Sequence, residues 1–494
     1  MKKITRVKFN NHPVLNDSEI NLVDKAEFNN QEYISLIIGQ NGTGKSQLLE
    51  AITTFINTIY RFKENLDSFK TDIKYGIEID IFYNGNTYTF KYDGKLSFIN
   101  DNQINVAEIL PDNLIVNVYT FNDKYPFVDL DSFYNYCGLR TTSNNIFVNV
   151  PIEECFLNLT SILKNPLKKS VTNDIFKELN LKRKISVSYI LKSDKILKDP
   201  NFISIKKDYV KTSIISQLQI EKFKEITLSS LSKGKLKNYK VQRFITNDEE
   251  VKKVLNFLYS SAKLEKNNML HYHWEDNIDQ IELSDNSLFN ENIDIYIILR
   301  EIGILQFDTF NVYRNEYFDF NNVSSGEFHF LSLFTSILSN IKDDSLIIID
   351  EPEISLHPNW QNKLLYTLSP VFEKFPRAQV IIASHSHLMV SSLEKSKSTL
   401  ISMKKSDNNV QIKNLEQLDT FGWSAEQILF DVFDMVTDRN YYLSIQIQEI
   451  IDEMAKSKPD HVKIDKLKNQ LKEKPLENLN ENDPLKLILK KLLK

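Results

Sequence analysis

The spacing of apolar residues changes character several times along the 494 residues. Ile4, Val7 and Phe9 sit among polar neighbours in the manner of an opening strand, and the first 60 residues read as a hairpin, a strand and a helix. The stretch Tyr33 to Ile38 is a short apolar run ending on Gly39, the pattern of a buried parallel strand. From Ser46 through Tyr60, Leu48, Leu49, Ile52, Phe55, Ile56 and Ile59 return at helical spacing on one broad face. Residues 73–99 alternate like antiparallel strands, with turn signals at Asn84-Gly85 and Asp93-Gly94. A further strand is predicted at Leu114 to Tyr119.

From about residue 156 the texture becomes lysine-rich and mixed, with few glycines and interruptions at Pro166 and Pro200. No heptad repeat persists over several cycles, so this part reads as a compact helical insertion and not as a long coiled coil. After about residue 295 strands and helices alternate again. Ser345 to Ile349, Gln379 to Ala383 and Thr399 to Met403 read as strands, with a helix through about Phe375 after the first. That succession predicts βαβ units of a largely parallel sheet, hence an α/β protein. The last 90 residues read as helical and polar, and 484–494 as a short amphipathic helix suited to docking or an oligomer contact. The expected divisions are residues 1–155, an insertion at 156–294, a second lobe at 295–405 and a helical C-terminal region at 406–494.

Composition narrows the class without naming it. Hydrophobic residues make up 41% and charged residues 26%, as in ordinary soluble proteins. No apolar run is long enough to suggest a membrane span, and the N-terminus lacks the apolar core of a signal peptide. Cys137 and Cys155 are the two cysteines, too few for a disulfide scaffold, and together these features predict a cytoplasmic protein. The net charge of -5 conceals an asymmetry, because 161–245 carries 20 Lys/Arg against 7 Asp/Glu. That segment is either a surface for nucleic acid or another anionic partner, or a solvated lysine-rich face.

Candidate chemistry begins at Gly39-Gln40-Asn41-Gly42-Thr43-Gly44-Lys45-Ser46, followed by Gln47. The run fits the phosphate-binding P-loop pattern and lies between a buried strand and a helix, as that loop must. Its glycines let backbone N–H groups wrap a phosphate, Lys45 places a cation on the β- and γ-phosphates, and the Ser46 hydroxyl suits Mg²⁺. Far along the chain, the apolar run Leu346 to Ile349 ends in Asp350-Glu351-Pro352. Two carboxylates at the end of a buried strand are costly without a cation or proton nearby. Asp350 is expected to hold Mg²⁺ and Glu351 to polarise the attacking water of an ATPase.

Two further elements join the set. Val323-Ser324-Ser325-Gly326-Glu327 precedes an apolar helix from Phe328 to Ile341. Ser324 or Ser325 caps that helix, with Glu327 completing a capping box, or the segment serves as a second anion site; both readings can hold. His385, in Ser384-His385-Ser386-His387, follows a parallel strand and so faces the ligand crevice, where it is expected to contact the γ-phosphate and take part in catalysis. His271-Tyr272-His273 reads as strand surface in preference to a metal site.

The order P-loop, Ser-Ser-Gly-Glu, Asp-Glu-Pro and Ser-His resembles the ABC-type P-loop ATPases of the structural-maintenance-of-chromosomes, RecF and OLD group. The resemblance covers roughly residues 1–155 and 295–405. It implies a mixed sheet with an antiparallel β subdomain, and ATP with Mg²⁺ as ligands. Val323 to Glu327 stands where that group has its LSGGQ-like signature, with Val for the first Leu and Ser325 for the first Gly. The signature of one copy is then expected to close over ATP held by another, in a homodimer or higher homo-oligomer, so Ser324, Ser325, Gly326 and Glu327 count as nucleotide-binding residues. Glu351 to Pro358 looks like the EPExxLHP form of stand-alone bacterial ATPases, which implies no transporter or membrane partner. The group's glutamine loop has no glutamine here; in 121–126 Asn122 or Asp123 is its stand-in. No Toprim nuclease pattern follows the histidine strand.

Phe121 to Pro126, Tyr136 to Arg140 and Gly422 to Leu429 look like antiphage-defence ATPases, nearest the ATPase subunits of Septu-type and retron-associated systems, with the PARIS-type second. That resemblance implies a separate effector, an HNH nuclease or a toxin, under ATPase control. The alternative is a DNA-binding recombination or repair clamp.

Overall fold

The apolar run that ends in the P-loop lies in the middle of the molecule's largest sheet. A computed structural model describes residues 1–23, 32–63, 70–99, 104–120, 123–126, 133–140, 149–163, 165–191, 215–231, 239–260, 271–277, 288–314, 317–406, 409–415, 419–433, 441–456, 459–472 and 484–493.

An antiparallel sheet comes first along the chain. It comprises β1 (Lys2–Asn10), β2 (Glu19–Asn21), β4 (Gly76–Tyr83), β5 (Asn86–Tyr92) and β6 (Leu96–Ile99), in the order β2-β1-β4-β5-β6. Asn84 and Gly85 both have positive φ, as the tight β4–β5 turn demands.

Among the described residues the central sheet has seven strands, ordered β16 (Asn409–Asn414), β15 (Ser398–Ser406), β3 (Tyr33–Gly39), β14 (Gln379–Ser384), β13 (Ser345–Asp350), β7 (Asn113–Val118) and β8 (Tyr134–Gly138). All neighbours pair parallel except β15 and β16. Successive residues of a strand face opposite sides, and the core divides accordingly. Leu346 and Ile348 join Ile37, Leu48, Ile52 and Phe55 under the antiparallel sheet. Ile347 and Ile349 join Leu331, Phe334 and Leu368, from the helices Ser325–Asn340 and Pro358–Lys374 on the other face. This is the α/β architecture with a largely parallel sheet expected from the strand pattern.

Register decides where the chemistry falls. Asp350 lies opposite both Ala383 and Val118, while Ser384 lies opposite Ile38. The C-terminal ends of β3, β7, β13 and β14 are therefore flush, and everything that follows them emerges along one edge.

Two expectations need correction. The stretch 156–294 is not wholly helical: β9 (Lys182–Leu191) and β10 (His271–Asn277) are strands. They join β11 (Leu305–Tyr313) and β12 (Tyr317–Asp319) in an antiparallel sheet ordered β10-β9-β11-β12. The sequence Ile185-Ser-Val-Ser-Tyr-Ile190 alternates as a strand should, a signal hidden among the flanking lysines. Packing also ignores the expected boundaries, because Phe156, Phe223, Phe244 and Val254 share one core with Phe310, Phe330 and Phe334. The second correction is β16, an edge strand inside the region expected to be helical from residue 406. Further along, the helices Tyr441–Met454, His461–Lys472 and Pro484–Leu492 gather Ile447, Ile450, Leu467, Leu471 and Leu489 into a small core of their own. Among the described residues, no helix is long and apolar enough to cross a membrane.

Candidate functional site

The loop after β3 returns on itself through Gly42 and Gly44, at φ +76 and +91, a region that L side chains rarely adopt. Nothing lies within 4 Å of where a Cβ on Gly42 would stand, so that face of the loop is open. Gly44 is the N-cap of the helix Lys45–Arg61 and provides no side-chain cap, which leaves the first-turn N–H groups of Ser46 and Gln47 directed at the loop. An open concavity of backbone donors at a helix N-terminus fits a phosphate chain. Thr43 is buried and its hydroxyl bonds the carbonyl of Gln40 at 2.9 Å, bracing the loop, while Gln40 and Asn41 are exposed.

Lys45 is buried beneath this loop. Its ammonium donates to the carbonyls of Gly39 and Gln40 at 2.8 and 3.1 Å. Burial lowers its pKa to about 8, opposed by the charges of Glu351, Glu353 and Asp350. It also lies 3.2 Å from Nδ1 and 3.1 Å from Nε2 of His385, and that Nε2 lies 2.9 Å from Glu351 Oε1. With a proton on Nε2 the ring donates to Glu351, while the ammonium sits against both ring nitrogens. The His385 bond holds the Glu351 carboxyl below its ordinary range.

Glu351 reaches this position by a turn of the backbone. The chain leaves β13 at Asp350, Glu351 takes φ +52, and its N–H bonds the Ala383 carbonyl at 2.9 Å. A non-glycine residue in the left-handed region costs of order 1–3 kcal/mol, a penalty that clusters at functional sites. Pro352, with no N–H to donate, follows as the strand ends.

Asp350 is 1% exposed, and burial raises its carboxyl to about 7. Oδ1 accepts from the Ser46 hydroxyl at 3.1 Å and Oδ2 from the Tyr125 hydroxyl at 3.0 Å. Ser46 and Asp350 are hard oxygen donors, and adjacent ligands of an octahedral Mg²⁺ at about 2.1 Å lie about 3 Å apart. The pair therefore fits Mg²⁺, with phosphates and water supplying the other positions.

Lys45, Ser46, Asp350, Glu351 and His385 are thus brought together at the ends of β3, β13 and β14. The segment Ser324–Glu327 is elsewhere. Ser324 caps the helix Ser325–Asn340 in a full capping box with Glu327, and Glu327 pairs with Arg314. Ser324 and Ser325 are exposed, and among the described residues no hydrogen bond or ion pair joins this segment to Gly39–Gln47. Gly326 is buried for a reason inside its own chain: a Cβ there would lie 2.6 Å from the Ser355 carbonyl oxygen.

Three participants were missed by sequence reasoning. Glu353 accepts the His385 N–H, and burial raises its carboxyl. Gln361 donates to the Leu356 carbonyl at 2.9 Å and accepts from Ser386 at 2.7 Å, tying the loop after β13 to the histidine segment. Tyr125 is the third; its sequence signal was its place in the 121–126 stretch, where attention went to the amide and acid. Of those two, Asn122 lies outside the described residues, and Asp123 is occupied by Arg140 and the Tyr136 hydroxyl. Much of the basic 161–245 segment, namely 164, 192–214 and 232–238, also lies outside them.

Residues 230–391 match the family described as "AAA domain, putative AbiEii toxin, Type IV TA system". The chain is 32% identical over 99 residues to the Septu protein PtuA of Bacillus thuringiensis, covering 20% of this chain and 24% of that protein. The match thus spans about a quarter of the curated relative's length. Among solved structures, it is similar to the Smc head domain bound to the C-terminal domain of ScpA from Pyrococcus furiosus. The identity there is 12%, over 84% of this chain and 96% of that one, at a TM-score of 0.36. A SmcHead bound to the C-winged helix domain of ScpA gives 10% identity over 83% and 97%, at a TM-score of 0.32. The P-loop ATPase resemblance read from the motifs, with its defence-system relatives, agrees with the sequence matches.

Proposed function

We propose that this chain binds ATP with Mg²⁺ and hydrolyses it, and that two copies close around the nucleotide to control a separate effector in antiphage defence. The observation that carries the reading is the convergence of Ser46 on Asp350 at 3.1 Å and of Glu351, His385 and Lys45 on one another at the mouth of the P-loop. In this reading Gly39 to Gln47 hold the phosphates, Lys45 exchanges loop carbonyls for phosphate oxygens, and Ser46 with Asp350 holds the metal. Bound Mg²⁺ would neutralise charge that develops on the β- and γ-phosphate oxygens. Glu351, kept ionised by His385, accepts a proton from the attacking water. His385 passes between Glu351 and Lys45 and so senses the terminal phosphate.

The exposed Ser324 and Ser325 support the two-copy arrangement: these two residues face outward in a single chain, and among the described residues no hydrogen bond or ion pair joins them to the P-loop. The effector, a nuclease or toxin on a second chain, follows from similarity to defence ATPases alone. The test pairs two variants. Lys45→Ala should abolish ATP binding. Glu351→Gln should keep binding, slow turnover by roughly 10²–10⁴-fold and accumulate an ATP-dependent dimer by sedimentation. Tight ATP binding by Lys45→Ala would refute the P-loop role, and normal turnover in Glu351→Gln would remove Glu351 from the chemistry.

The charge excess in 161–245 favours the second reading, a clamp on DNA. A clamp with several phosphate contacts should lose duplex affinity steeply between roughly 50 and 200 mM salt; binding that is absent or indifferent to salt excludes it.

A further inference from the structure

The loop after β7 lacks the glutamine expected there, yet it reaches the nucleotide site with a different group. Tyr125 is 2% exposed, and its hydroxyl donates to Asp350 Oδ2 at 3.0 Å while Ser46 donates to Oδ1 at 3.1 Å. Two hydroxyls, one on each oxygen, fix the plane in which the carboxylate lies. A buried phenol keeps its hydroxyl where that hydroxyl has a partner, and here the partner is the acid at the end of β13.

Tyr125 is itself clamped. Its N–H donates to Asp123 Oδ1 at 3.2 Å, and its carbonyl accepts from Arg140 Nη2 at 2.6 Å. Arg140 also donates from Nε to Asp123 Oδ2 at 2.9 Å and pairs with that carboxylate through Nη2. The Tyr136 hydroxyl donates to Asp123 Oδ2 at 2.8 Å. On the other side, the Lys124 N–H donates to Glu50 Oε1 at 3.1 Å, one helical turn beyond Ser46. The loop is thus tied to β8 and to the P-loop helix, and the buried Tyr125 side chain ends on Asp350.

We propose that Tyr125 is a positioning residue for the metal-binding carboxylate of Asp350, and that Arg140 and Asp123 act through Tyr125. This rests on the reading of Asp350 as a Mg²⁺ ligand. Groups that orient a ligand from behind it typically change metal affinity by roughly 10–100-fold when removed. Arg140 bonds Asp123, the Tyr136 hydroxyl and the Tyr125 carbonyl, which places the tyrosine between it and Asp350.

The experiment measures binding of a fluorescent, non-hydrolysable ATP analogue to the full chain, in EDTA and across a MgCl₂ titration. Tyr125→Phe should leave affinity in EDTA unchanged and raise the half-saturating magnesium concentration by roughly 10–100-fold. Arg140→Met should shift magnesium dependence in the same direction. The double variant should fall no further than the more impaired single variant, as expected for residues acting in series. An unchanged magnesium requirement in Tyr125→Phe, or effects that multiply in the double variant, overturns the proposal while leaving the ATPase reading intact. A wild-type chain that binds the analogue without any magnesium dependence takes both readings down.

Discussion

Replacing Asp350 by asparagine should stabilise the nucleotide-free protein near neutral pH. Asp350 is almost wholly buried, and its carboxyl rises from 3.8 to about 7 because burial disfavours the charge. A carboxyl raised in the folded state takes up a proton on folding at any pH between its two values. Its contribution to stability is therefore complete below the unfolded value and is lost as pH climbs through the folded one. Across a window of about three units, at 1.36 kcal/mol per unit, the loss is about 4 kcal/mol. Asparagine can still accept from Ser46 and can donate to the Tyr125 oxygen, but it carries no charge to bury. The assay is the urea midpoint of wild type and Asp350→Asn in EDTA, without nucleotide, from pH 5 to pH 8. Wild type should lose about 1.4 kcal/mol per pH unit relative to the variant between pH 5 and 7. The variant should also lose magnesium-dependent nucleotide binding, which would show that the buried charge is kept for function at a cost in stability. Parallel pH curves for the two proteins would refute the argument that burial governs this carboxyl.

The signature segment yields two further predictions that separate a contact between chains from packing within one. Ser325→Arg changes an exposed residue, so stability should move by less than about 0.5 kcal/mol and ATP should still bind; an ATP-dependent dimer that persists in size-exclusion chromatography contradicts the two-copy arrangement. Gly326→Ala places a Cβ 2.6 Å from the Ser355 carbonyl, so it should destabilise the chain itself, by about 1–3 kcal/mol; an unchanged urea midpoint would show that the loop after β13 yields at no cost. Gly326 variants are for this reason a poor probe of dimer closure.

Much of the site was legible in the chain because its parts are local. A P-loop is a strand, a glycine-rich turn and a helix start within eight residues, and its chemistry depends on backbone N–H groups that any copy of the pattern presents. The same holds for Ser324 and Glu327, whose capping box closes over three residues. Apolar runs such as Leu346 to Ile349 announced buried strands, since both faces of a parallel strand must be covered. Strand β9 was hidden because lysines on and beside it mask a period-two pattern, and its pairing partner β11 lies over a hundred residues beyond it; β10 showed only as the strand surface at His271 to His273.

Only the tertiary structure decided how residues 300 apart meet. Parallel register set Asp350 level with Ala383 and Val118, and this put the ends of four strands on one edge. That edge gave Asp350 its second hydroxyl from Tyr125 and gave Glu351 its histidine, neither of which any local pattern encodes. It also assigned Asp123 to Arg140, leaving the phenol two residues on to reach the carboxylate. Sequence alone determined which groups could handle a phosphate; the alignment of strand ends determined which of them share a proton, a charge or a bond, because those depend on separations of about 3 Å that only a folded sheet imposes.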